Sequence, residues 1–174
     1  RNNKSKKKDC KKYYTCKSKF KSFMSGHEPE LDLHGWSKNK LIEGSHNCYI
    51  YALDDKNYEI AQKCLNDCKS KGYNNKTCRT NKSKISSCSR LKPQPGHWAS
   101  NKKRFKKNSR YTCGDMMEKV KIDNHNPKTG KSHIYSIPFD KPCKPGFYKA
   151  GVTIQTGPNS TYHFYRQDSN GKWS

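Results

Sequence analysis

Ser45-His46-Asn47-Cys48-Tyr49-Ile50-Tyr51-Ala52-Leu53 opens the first helix expected in this chain. Ser and Asn side chains accept hydrogen bonds from the free amides of a helix start, and the apolar run from Cys48 follows them directly. The pattern predicts a helix from Cys48 to about Leu53-Asp54-Asp55. A cysteine in that position meets unpaired amides and the positive end of the helix dipole, both of which favour a thiolate. No other stretch of the sequence points as directly at chemistry.

Outward from this helix, a second is predicted from about Tyr58 to Ser70. Ile60, Ala61, Cys64, Leu65 and Cys68 recur there at helical spacing, and Gly72 stops it. Cys113 to Ile122 reads as a third, with Met116, Met117 and Val120 inward. Pro93-Gln94-Pro95-Gly96 and Gly157-Pro158-Asn159-Ser160 read as turns. The last third is β-like. Tyr148 to Thr156 alternates around Val152 and Ile154, Tyr162 to Gln167 follows, and Asn170-Gly171 is a hairpin signal before Lys172-Trp173. Helices first and an antiparallel sheet last make the expected class α+β, with the N-terminal helices packed on the C-terminal sheet. Residues 1–25 read as a basic extended arm and 26–174 as a single cysteine-rich domain. In its opening loop, Leu31, Leu33 and Trp36 are expected to pack on the domain.

Only 30% of the 174 residues are hydrophobic, so the core must be small and the 11 tyrosines must supply part of it. No run of apolar residues approaches the ~18 to 20 needed to cross a bilayer, and no signal peptide is expected. The formal charge is +23, from 37 Lys and Arg against 14 Asp and Glu. Such a charge favours anionic partners. An abundance of Lys and Asn is equally what a low-GC coding bias produces, with the lysines simply solvated. Nine cysteines suit a weak core stapled by disulfides, and an odd count leaves at least one thiol over, for which Cys48 is the natural choice. Disulfides in turn require an oxidising setting such as secretion or a virion.

Three constellations could carry function. The first is Cys48 with His163, a cysteine at a helix start and a histidine on a later strand, the outline of a papain-like thiol hydrolase. In it, Cys48 attacks an amide carbonyl and His163 holds the ion pair and protonates the leaving group. The Cys48 amide and Asn47 could bind the oxyanion. Asp168 is near His163 in sequence, but no third catalytic residue is assigned. The same residues also suit a buried or bridged cysteine and a sheet histidine. The second is Cys64-x-x-x-Cys68 with Cys78 and Cys88, whose spacing fits disulfides better than zinc. No metal or cofactor is expected. The third comprises Lys6, Lys7 and Lys8 beside Tyr13 and Tyr14, and Lys102, Lys103, Arg104, Lys106 and Lys107 around Phe105. These join phosphate-attracting charge to rings that can stack on bases.

The Ser45–Leu53 stretch, Pro93-Gln94-Pro95-Gly96, and His163-Phe164-Tyr165-Arg166-Gln167-Asp168-Ser169-Asn170-Gly171-Lys172-Trp173-Ser174 together resemble uncharacterised proteins of large nucleocytoplasmic DNA viruses. The Cys48 segment is also similar to the helix start of CHAP and NlpC-type peptidoglycan hydrolases. The second resemblance implies Cys48 as nucleophile and His163 as base, 115 positions further along the chain. The first implies a place in the virion or host cytoplasm, with capsid or other virion proteins and nucleic acid as partners. A basic virion component without enzymatic activity is the rival expectation.

Overall fold

The computed structural model describes residues 23–74, 88, 91–97, 111–126, 128–130, 132–155 and 161–174. The expected arm over the first residues, the basic cluster at 102–107 and the turn at 157–160 lie outside them. The chain divides into two units. One comprises Asp32–Ser136 and Ala150–Arg166; the other comprises Arg1–Leu31, Ile137–Lys149 and Gln167–Ser174.

Among the described residues of the first unit, four helices each start at a side chain able to cap them. Asn39 opens α1 (Lys40–Ser45), Asn47 opens α2 (Cys48–Ala52), Asn57 opens α3 (Tyr58–Ser70) and Thr112 opens α4 (Cys113–Asp123). Each cap accepts hydrogen bonds from backbone amides two or three residues on, which would otherwise have no partner within the helix. Three of the four helices sit where the sequence places them. The short α1 lies just ahead of the first helix expected from the sequence. Its apolar content is Leu41 and Ile42 alone, too little for a periodic signal, and the Asn39 cap is what starts it. Strands β1 (Ala150–Gln155) and β2 (Thr161–Arg166) form a two-stranded antiparallel sheet that pairs Val152 with Phe164 and Ile154 with Tyr162. Helices and antiparallel strands together make the unit α+β.

Two apolar clusters hold this unit together. The first gathers Trp36, Ile42, Ile50, Ala61 and Leu91 around the Cys64–Cys88 disulfide and Cys68, which is bridged as well. Three sulfurs thus replace aliphatic side chains at the centre, as the sparse apolar content requires. In the second cluster, α2 lies on the sheet. Tyr49 packs against Phe164 at 4.9 Å between ring centroids, with Met116 and Val120 of α4 beside Ala52. Of the residues expected to dock the opening loop, only Trp36 is buried. Leu31 and Leu33 are exposed.

The second unit is described over 23–31, 137–149 and 167–174, and is built from turns. The buried ammonium of Lys149 donates to the Phe23 carbonyl at 3.0 Å and the Phe139 carbonyl at 2.9 Å, tying two segments far apart in sequence. The Glu28 carboxylate accepts from the amides of Ser25 and Gly26, and Ser169 donates to the Pro29 carbonyl at 2.8 Å. The expected hairpin turn is present. Gly171 takes a positive φ of 79°, and Gln167 bridges to Trp173.

Candidate functional site

Cys48 is the first residue of α2 and carries a free thiol, half-buried. Its position is held by Asn47, whose side-chain oxygen accepts from the Ile50 amide at 3.1 Å while its Nδ2 donates to the Pro93 carbonyl at 2.8 Å. The cap therefore fixes the helix start and ties it to the Pro93-Gln94-Pro95-Gly96 turn. That turn is anchored from its other side. Asp123, at the end of α4, accepts from the Gly96 amide at 2.7 Å and from the Tyr49 hydroxyl at 3.1 Å. Burial, with the Asp123 charge adding, pushes the Tyr49 phenol far above its ordinary range, so this ring is a neutral donor.

Cys48 packs against the second apolar cluster, as do Tyr111, Tyr162, Val152 and Ile154. The Tyr162 hydroxyl donates to Gln94 Oε1, and its ring meets Tyr111 edge-on at 5.0 Å. Burial raises the Tyr162 pKa, with Tyr111 and Cys48 contributing. Tyr162 was not singled out by sequence. Its only signal was the alternation of β2, which assigns it to the same face as Phe164.

That alternation decides where His163 goes. Successive side chains of a strand point to opposite faces. Phe164 and Arg166 are buried, while His163 is exposed, pairs across the sheet with Thr153, and lies edge-on to Tyr165 at 4.7 Å. Cys48 belongs to the Tyr162 and Phe164 side. The structure thus sets the thiol and the imidazole on opposite faces of the sheet and does not bring them together.

His46 sits two residues before Cys48 and is buried, but its ring is engaged with Ser45 and Asn57. Asp168, beside His163 in sequence, is also buried. Lys6, Lys7, Lys8, Lys102, Lys103, Arg104, Lys106 and Lys107 lie outside the described residues. Cys64 and Cys88, weighed as thiolate ligands, are joined to each other and cannot serve as such. Among the described residues no three His, Cys, Asp or Glu side chains come together in a metal-binding arrangement. No helix among them is long and apolar enough to cross a membrane. Among the described residues Cys113 and Cys143 are free thiols as well as Cys48.

The positive charge is unevenly distributed along the chain. Segments 1–22, 75–90 and 98–110 hold 21 of the 37 Lys and Arg and one of the 14 acidic residues. The other 123 residues hold 16 basic and 13 acidic side chains and are close to neutral. Compared with family models, curated proteins and solved structures, the chain matches none.

Proposed function

We propose that this protein is a cationic, non-enzymatic module that binds an anionic polymer, nucleic acid first, through segments 1–22, 75–90 and 98–110. The observation that carries the reading is the segregation of charge. A coding bias toward Lys acts along the whole chain and leaves acidic residues where they fall. Here a net +20 is gathered in 51 residues with a single acid, and five of the six arginines are there too. Phosphate neutralisation by Lys and Arg releases counterions, so affinity is sequence-tolerant and falls steeply with salt. Tyr13, Tyr14 and Phe105 lie inside these segments and add rings that can stack on bases. The setting we propose is the particle of a large DNA virus, where a disulfide such as Cys64–Cys88 persists.

The test is a titration of fluorescent single-stranded and duplex DNA at several salt concentrations. Binding whose log affinity falls linearly with log salt, and which weakens with a shallower salt slope when the lysines at 102, 103, 106 and 107 become Gln, supports the reading. Binding indifferent to salt, or none at low salt, removes it. Capture of an acidic capsid protein in place of DNA would assign the charge to the other expected partner.

A second reading is favoured by one observation, the free half-buried thiol at the first position of α2. In it the chain is a papain-like cysteine hydrolase that cleaves an amide bond, with Cys48 as nucleophile and His163 as base. It requires the two to meet in a conformation other than the one described. Selective labelling of Cys48 near neutral pH, lost on replacing His163, would favour it over the first reading.

A further inference from the structure

The junction of three helices in the α+β unit closes on one imidazole. His46 ends α1, stands two residues ahead of the Cys48 helix start, and is only 8% exposed. Its Nε2 lies 3.3 Å from the backbone N–H of Asn57, the capping residue of α3. An N–H can only donate, so Nε2 carries no proton and the ring is neutral with its proton on Nδ1. Nδ1 donates to Ser45 Oγ at 2.8 Å, with the Ile42 carbonyl at 3.3 Å. Trp36 covers the ring edge-on at 5.5 Å. The other six histidines are exposed or half-buried.

We propose that His46 is an acid-released latch: protonation of Nε2 sets one N–H against another and frees the start of α3 from the junction of α1 with α2. The step is uptake of one proton from solvent. It exchanges the Asn57-to-Nε2 hydrogen bond for a repulsion that the site can relieve only by opening. The charged groups facing the ring do not cancel this. Asp55, in the segment before α3, favours the charged form, while Lys92 beside the Pro93 turn and Lys56 oppose it. Burial is the largest effect and lowers the His46 pKa. An opened His46 titrates near its ordinary ~6.5. Closure is therefore complete above that value and weakens as pH falls from it toward the depressed value of the closed state. The latch does not depend on polymer binding, and its test does not use DNA.

The test follows the His46 ring nitrogens and amide exchange at Asn57 and Ile60 in the full chain, from about pH 7.5 to about pH 5. After correction for intrinsic exchange chemistry, opening should increase by about tenfold per pH unit inside the window. In His46→Gln the side-chain oxygen can accept from Asn57 without titrating, so opening should stay flat. Equal pH dependence in both proteins overturns the latch. Should the variant fail to fold, the wild-type ring decides alone. Gain of the second ring proton together with loss of Asn57 protection supports the proposal, and a doubly protonated ring under a still-protected Asn57 overturns it.

Discussion

Arg166 is fully buried near the edge of the first apolar cluster, where a lone guanidinium would be costly. Three features make it tolerable. Asp54 pairs with Nη1, the Tyr51 carbonyl lies at 3.4 Å, and the guanidinium carbon sits 4.3 Å from the Tyr51 ring centroid. Asp54 reaches it from a backbone φ of +52°, a conformation that Asp and Asn adopt more readily than other side chains. Charge and backbone can therefore be separated by mutation. Asp54→Asn keeps the backbone and removes the charge, and should cost about 1 to 3 kcal/mol in chemical denaturation. Asp54→Ala should cost about 1 kcal/mol more, from strain in the left-handed region. If the two variants denature alike, the strain argument is wrong. Tyr49→Phe is the neighbouring case. It keeps the ring against Phe164 but loses the hydrogen bond to Asp123, and should cost about 1 kcal/mol.

At the scale of elements, α2 is five residues long, far too short to persist alone. It exists because Asn47 caps it and Tyr49 and Ala52 are buried beneath it. Asn47→Ala should cost about 1 to 2 kcal/mol and speed alkylation of Cys48, since the same side chain caps the helix that Cys48 begins and ties it to the Pro93 turn. Asn47→Asp should restore the cap but not the Pro93 contact, and so recover only part of the loss. The sheet makes an opposite prediction for His163. An exposed ring on the far face cannot tune the thiol, so His163→Ala should leave the Cys48 alkylation rate and the melting temperature nearly unchanged. A large drop in that rate would show that the two groups meet in solution, as the hydrolase reading requires.

For the whole molecule, few apolar residues and a high charge both oppose folding, and the disulfide offsets them. Cys64–Cys88 joins residues at a sequence separation of 24. Breaking it by a Cys64→Ala, Cys88→Ala double substitution should remove about 3 kcal/mol, read as a lower denaturation midpoint. Removal of segment 1–22 takes away ten basic residues and Asp9. It should flatten the salt dependence of DNA binding while leaving the α+β unit folded. A salt slope unchanged by that deletion would place the polymer contact elsewhere.

Much of the fold was legible beforehand. Helix periodicity in Tyr58–Ser70, capping residues ahead of Cys48 and Cys113, and two alternating segments near the end are local signals, written within a few residues of one another. The charge segregation is likewise a property of the sequence alone. Tertiary structure decided what distant residues do to each other. It set Cys48 against Tyr162 rather than His163, joined Cys64 to Cys88, buried Arg166, and gave His46 a donor in Asn57. The physical reason is the period of the strand. One residue of register moves a side chain to the other face of a sheet, and only packing of Phe164 on Tyr49 selects which face turns inward.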